Sequence, residues 1–406
     1  MRGTPAPHRN HLSDLRGASR LAIDATRGLA DLVEAMHHTI ERVPGVLGAA
    51  PVGRTRGITG LVYRSVRGVT SLVGGSIDAI LGRLVPLFGA SPPSPRSEAL
   101  VAALNGVLGD YLADSANPLA IRLQFRRDGV PLPMERDALA AALPGCTGKL
   151  LVLVHGLCLN DLQWNRRGHD HGAALARDLG YTPVYLNYNT GLHLSTNGAA
   201  LADALETLLR QWPLPIRDFA IVAHSMGGLV ARSACHYGAE GGHSWLEQLR
   251  MLVFLGTPHH GAPMERGGNV IDALLGGSPY SAPFARLGKI RSAGITDLRY
   301  GNLVHEDWHG RDRFARGDRR RFVPLPEGVR CCAIAATTAR DTRLSESRLP
   351  GDGLVPVASA LGEHVKPELA LHIPKSRRWI ARGCGHLDLL GSTPVYRRIR
   401  QWLGSA

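Results

Sequence analysis

Residues 218–230 read Asp-Phe-Ala-Ile-Val-Ala-His-Ser-Met-Gly-Gly-Leu-Val. An apolar run stops at Ser225, two glycines follow, and an amphipathic pattern begins at Leu229, Val230 and Ala234. That is the pattern of strand, sharp turn and helix, which lifts a serine hydroxyl above the edge of a sheet. Small neighbours are required because the turn leaves no room beside the serine. Gly227 meets that need on one side and Ala223 on the other, so the motif is Ala-x-Ser-x-Gly.

A serine hydroxyl is a poor nucleophile near neutral pH, so Ser225 needs a base, and the base needs an acid to orient it. The expected chain order is serine, then acid, then histidine. Asp352 lies in Gly-Asp-Gly-Leu-Val-Pro-Val, between glycines that let its carboxylate turn inward. His386 lies in Gly-Cys-Gly-His-Leu-Asp-Leu-Leu, just before a final helical pattern, with Gly385 leaving space beside the ring. The chain has 18 histidines, so order and loop setting single out His386 more than residue type does. Asp341 and Asp388 are the reserve acids. His224 belongs to the turn, because side chains adjacent to the nucleophile point away from it.

A tetrahedral acyl intermediate carries an oxyanion, and its charge needs fixed donors. Val-Leu-Val-His-Gly-Leu (152–157) ends an apolar strand, and the turn after His155 and Gly156 can aim the Leu157 amide at the site. The Met226 amide, at the start of the helix after Ser225, supplies the second donor. Both are backbone groups, so neither position needs a polar side chain.

The elements that position these residues begin near residue 148. Apolar runs at 150–154, 183–187, 219–223, 251–255 and 331–336 read as strands. Helical patterns near 172–179, 196–211 and 228–237 lie between them. Alternating strands and helices predict an α/β fold, a mostly parallel sheet with helices on both faces. Alternation around Arg-Arg-Asp-Gly in 119–132 predicts a β-hairpin.

The stretch before residue 119 has a different grammar. One apolar stripe runs through Leu21, Ala25, Leu29, Leu32, Met36, Ile40 and Val43, and a second from Ile58 to Leu87. Steps of four, four and three give an 11-residue period, close to that of a straight helix. With Pro44–Gly53 as the turn, the stripes predict a helical hairpin, followed by a third helix near 98–112. Arg56, Arg64, Arg67 and Arg83 mark the polar face of the second helix. A basic amphipathic helix can lie on a lipid surface; alternatively, the two helices pack on each other or against the second half. The expected division is a helical region over 1–118 and a catalytic domain over 119–406, with a cap insertion over about 262–325.

Composition sets further bounds. The net charge is +13, and Lys149, Lys289, Lys366 and Lys375 are the only lysines, so the excess is arginine. Nucleic-acid binding has only this charge behind it, with aromatics at 5% and no recognition motif. The six cysteines form no CxxC pair, consistent with buried thiols. His169, His171, His259 and His260 do not form a convincing metal-ligand set, so no metal and no cofactor are expected. The first 20 residues lack a signal-like apolar core, and no run of 18 or more apolar residues appears. A cytoplasmic protein is expected, peripheral at a membrane or lipid surface if residues 19–88 bind there.

This half of the chain resembles the α/β-hydrolase superfamily on its lipase side, in particular bacterial lipases and the family of the GPI inositol-deacylase. The similarity rests on Val-His-Gly-Leu (154–157), Tyr-Asn-Thr-Gly (188–191), Ala-His-Ser-Met-Gly-Gly (223–228), Leu-Gly-Thr-Pro-His-His-Gly-Ala-Pro (255–263), Gly-Asp-Gly-Leu-Val-Pro (351–356) and Gly-His-Leu-Asp-Leu-Leu (385–390). These motifs span roughly residues 148–404 in order. Ala223 replaces the commoner glycine, a variant that some bacterial lipases share. The resemblance implies ester cleavage by Ser225, His386 and Asp352, without a cofactor, acting on an ester or lipid. The same machinery could act on thioesters, amides or polyesters, or pass the acyl group to an alcohol. A lipid-surface or granule-binding protein is the alternative of another class.

Overall fold

The structure is a computed structural model and describes residues 95–261, 292–311, 317–340 and 349–405. The predicted hairpin over 19–88, Asp341, and the apolar cap patches at 270–275 and 284–287 lie outside the described residues.

One eight-stranded sheet organises the chain. Its strands are β1 (Gln124–Arg127), β2 (Val130–Pro131), β3 (Lys149–Val154), β4 (Thr182–Asn187), β5 (Asp218–His224), β6 (Leu249–Leu255), β7 (Arg330–Thr337) and β8 (Arg378–Arg382). The spatial order is β2-β1-β4-β3-β5-β6-β7-β8. β1 runs antiparallel to β2 and β4, forming the predicted hairpin, and β3 to β8 pair in parallel.

The inner strands read as continuous apolar runs because both faces are covered. Along β3, Leu150, Val152 and Val154 face one apolar core, and Leu151 and Leu153 face the other. The first core is closed by α1 (Pro95–Asp114), α2 (Arg136–Ala142), α4 (Leu194–Gln211) and α5 (Met226–Glu240). The second is closed by α3 (His171–Leu179) and α9 (Thr393–Gly404). Three short helices, α6 (Trp245–Gln248), α7 (Ala293–Asp297) and α8 (Val357–Ala360), complete the described set. The buried pair Cys331 and Cys332 on β7 splits between the two cores, as strand alternation requires.

α1 is tied into the sheet by polar contacts as well as by packing. Buried Arg126 on β1 pairs with Glu98 of α1 at 2.8 Å and with Asp161 at 2.9 Å. The Asn105 side chain donates to the Leu119 carbonyl and accepts from the Ile121 amide. Within the predicted cap, Ser292 donates to the Gly106 carbonyl and the Ala293 amide donates to Asp110.

The chain winds from β3 to β4 on one side and from β5 to β8 on the other. The order therefore reverses between β3 and β5, and the ends of these strands frame a crevice where ligands bind in such sheets. Among the described residues no helix is long and apolar enough to cross a membrane.

Candidate active site

Ser225 sits at the end of β5 with φ 55° and ψ −126°, a region that a side chain rarely occupies. The surrounding backbone holds it there. Its amide donates to the Leu255 carbonyl at 2.8 Å, and its carbonyl accepts from the Gly228 amide at 3.0 Å. Glycine is needed on both sides of this packing. A Cβ on Gly227 would lie 2.5 Å from the carbonyl oxygens of Val154 and His155, and one on Gly156 would lie 2.9 Å from the Ser225 Cβ. β3 and the turn are thus pressed together at the serine.

Asp352 follows β7 and His386 follows β8, and the fold brings them into contact. His386 Nδ1 lies 2.8 Å from Asp352 Oδ2, with both side chains buried. The other carboxylate oxygen, Oδ1, accepts from the amides of Leu354 (2.9 Å) and Val355 (2.8 Å). The His386 amide also donates to the Asp352 carbonyl. An acceptor at Nδ1 puts the ring proton on that nitrogen and leaves Nε2 as the basic atom. Nε2 is buried and has no hydrogen-bond partner among the described residues.

Two contacts tie the serine turn to this pair. His224 Nε2 bonds the His386 carbonyl at 3.1 Å, and the two rings lie 4.8 Å apart. Burial drives the His224 pKa well below its ordinary value, and the nearby His386 lowers it further. His224 is therefore neutral and carries its proton on Nε2. Gly256, next to the carbonyl that holds the Ser225 amide, has φ 57°. A Cβ there would lie 3.2 Å from both Asp352 Oδ2 and His386 Nδ1.

On the β3 side, His155 stacks on Tyr188 with ring centres 4.5 Å apart. The Tyr188 hydroxyl donates to the His155 carbonyl, and His155 Nδ1 bonds the Gly156 carbonyl. Burial lowers the His155 pKa to about 4, so this histidine acts as a neutral packing group. Beyond Leu157 the chain turns back at Cys158, whose amide is taken by Thr190 Oγ1. Neither the Leu157 nor the Met226 amide is engaged by a hydrogen bond among the described residues.

The reserve acid Asp388 has other partners, the Gly385 amide (3.2 Å) and Arg167 (3.1 Å). His169 and His171 hydrogen-bond to each other. Among the described residues no group of three or more His, Cys, Asp or Glu could hold a metal ion. Sequence reasoning gave no role to Gly256 or Tyr188, although both lie in motifs that carry the resemblance. Their roles are contacts between loops far apart in the chain. It also passed over Arg232 of α5, buried with no carboxylate partner among the described residues, which donates to the Val323 carbonyl and meets His259 at 3.4 Å.

Sheet order, strand-end serine turn and loop-borne Asp–His pair define an α/β-hydrolase fold. Residues 146–321 match the family model described as PGAP1-like alpha/beta domain. No curated protein is significantly similar by sequence. Among solved structures, the mature lipase BlEst2 of Bacillus licheniformis is 17% identical, with 64% of this chain and 93% of that one covered and a TM-score of 0.42. A thermophilic esterase from Thermogutta terrifontis is 15% identical, covering 72% and 96%, with a TM-score of 0.38. A Pyrobaculum calidifontis esterase is 16% identical, covering 77% and 98%, also at 0.38.

Proposed function

We propose that the protein is a serine hydrolase of carboxylic esters. The observation that carries this reading is the buried Asp352–His386 contact at 2.8 Å, with Nε2 unengaged among the described residues, beside a serine in a strained strand-to-helix turn. In the reading, His386 Nε2 takes the Ser225 proton as Oγ attacks the acyl carbon. The Leu157 and Met226 amides hold the oxyanion. The imidazolium returns its proton to the departing alkoxide, leaving an acyl-enzyme. Water, deprotonated by the same nitrogen, attacks the acyl carbon and releases the acid and Ser225. Asp352 fixes the ring orientation and stabilises its charged form. The chemistry needs no cofactor. An ester or lipid is the expected substrate.

The test is hydrolysis of p-nitrophenyl esters from short to long acyl chains by wild type and Ser225→Ala. Turnover by wild type that disappears in the variant is expected, and the chain-length profile separates esterase from lipase behaviour. Turnover that survives the substitution, or no turnover of any ester, would reject the reading.

A further inference from the structure

The Tyr-Asn-Thr-Gly motif (188–191) follows β4 and takes no part in the acyl chemistry above. Its contacts converge on the turn after β3 that carries Leu157. The Leu159 amide donates to the Gly156 carbonyl at 3.3 Å and closes that turn, with Leu157 and Cys158 at its centre.

Three successive peptides of this stretch are held by side chains. The Tyr188 hydroxyl donates to the His155 carbonyl at 2.8 Å. His155 Nδ1 donates to the Gly156 carbonyl at 2.9 Å, since a carbonyl can only accept. Thr190 Oγ1 accepts from the Cys158 amide at 3.1 Å. The middle peptide, between Gly156 and Leu157, contains the Leu157 amide. It is trans, so fixing the Gly156 carbonyl points the Leu157 N–H the opposite way. Cys158 has φ 59°, a region that disfavours a side chain, so its peptide needs an anchor to remain there. Thr190 is that anchor.

The motif is braced from behind by α1. Asn189 donates to the Gly109 carbonyl at 2.8 Å and accepts from the Gly191 amide at 3.0 Å. A Cβ on Gly191 would lie 2.2 Å from the Asn105 carbonyl oxygen, and one on Gly106 would lie 2.2 Å from Cys158 Sγ. One face of α1 therefore presses on both loops at once.

We propose that Tyr188 and Thr190 are positioning residues that aim the Leu157 amide at the oxyanion. The inference rests on the ester-hydrolase reading, with Leu157 as one of its donors. A donor whose direction is fixed beforehand stabilises charge in the transition state without reorganising. Tyr188 holds the peptide before Gly156, Thr190 holds the peptide after Leu157, and the donor lies between them.

The test compares the full-length wild type with Thr190→Val, Thr190→Ser and Tyr188→Phe. It reads kcat and KM on a p-nitrophenyl ester and Ki for an alkylboronic acid. Ser225 Oγ adds to the boron, its proton passes to His386 Nε2, and the tetrahedral anion presents an oxygen to the Leu157 amide. Valine keeps the shape of Thr190 and loses the acceptor, whereas serine keeps the acceptor. Phenylalanine keeps the ring stacked on His155 and loses the donor. We expect kcat to fall and Ki to rise together, about tenfold or more in Thr190→Val and about threefold in Tyr188→Phe, with KM nearly unchanged. Thr190→Ser should recover most of both losses. Partial unfolding would lower the apparent kcat but leave Ki unchanged, and melting curves identify it. A wild-type Ki in folded Thr190→Val, or in Tyr188→Phe if the valine variant does not fold, overturns the proposal while the hydrolase reading stands. An equal rise of Ki in Thr190→Ser and Thr190→Val also overturns it. A wild type that neither turns over esters nor binds the boronate rejects the hydrolase reading, and the positioning role with it.

Discussion

Ser225 carries a side chain at φ 55°, ψ −126°, where glycine is the comfortable residue. Such a conformation costs of order 1–3 kcal/mol. Ser225→Gly is therefore expected to raise stability by about 1 kcal/mol, after allowing for the extra entropy glycine has when unfolded, while abolishing turnover. Ser225→Ala keeps the Cβ and the strain, so it loses turnover without that gain. Urea denaturation of the three proteins decides the point, and equal midpoints for Ala and Gly would mean the turn is not strained. Asp352 offers a sharper test of role. The Leu354 and Val355 amides need an acceptor at Oδ1, so in Asp352→Asn the amide NH₂ must face His386. Two donors cannot share that contact, so the ring switches its proton to Nε2 and loses its basic atom. We expect kcat on p-nitrophenyl esters to fall about a thousandfold or more, with folding intact. A loss under tenfold would remove Asp352 from the mechanism. The meeting of Asp352 with His386 was legible because glycine-flanked loops and chain order mark both residues. The His224 bond to the His386 carbonyl and the close approach of Gly256 were not, because they form only when the sheet brings the ends of β5 to β8 together.

α3 shows how an element far from Ser225 helps hold the site. His171, in its first turn, bonds the Leu389 carbonyl at 2.8 Å through Nε2, in the 3-10 turn that begins with His386. A carbonyl can only accept, so Nε2 carries the proton and Nδ1 accepts from His169. Burial holds the His171 pKa at about 4, raised slightly by the Leu389 carbonyl and lowered by His169. His155 is likewise held at about 4 by burial. Both pKa values lie below the unfolded value near 6.5, so between these limits the unfolded chain binds more protons. The stabilisation is complete above pH 6.5 and is lost as pH falls toward 4. Each of these two residues contributes up to about 3 kcal/mol of that slope. Buried His224 and His259, displaced in the same direction, act with the same sign. Urea midpoints measured from pH 7.5 to 5 should therefore drop steeply. His171→Gln can still donate to Leu389 but cannot be protonated, so it should flatten the drop; an unchanged slope would show that His171 does not resist protonation. At this scale the sequence was most readable where strands are buried on both faces. β3 to β7 stand within two residues of the predicted runs. β8 escaped because it is an edge strand with arginines at both ends and only Trp379, Ile380 and Ala381 between them. α2 escaped because its alanine-rich turn buries only Leu139.

The whole molecule poses a question about where the folding unit begins. Sequence grammar puts the third helix, now α1, with the N-terminal region, since both are helical and precede the first strand. The contacts of α1 point the other way. Leu104, Val107, Leu108 and Leu112 are buried in the same core as β3 and β5. Asn189, in the loop after β4, donates to the Gly109 carbonyl, and Glu98 satisfies buried Arg126. We propose that the hydrolase unit includes α1. Removing α1 would expose those four side chains' partners at about 1.5–3 kcal/mol each and leave Arg126 with one carboxylate instead of two. That loss is comparable to the entire stability of a typical domain. A protein lacking residues 1–94 is therefore expected to fold cooperatively and keep its ester turnover, whereas one lacking 1–118 should be insoluble or unfolded. Vesicle sedimentation of the shorter deletion then addresses the stripes at 19–88. If they hold the enzyme at a lipid surface, binding falls while kcat on a soluble ester is unchanged. Loss of cooperative unfolding on removing only 1–94 would show instead that the helical hairpin is part of the catalytic fold, and that its apolar stripes are covered by protein rather than by lipid.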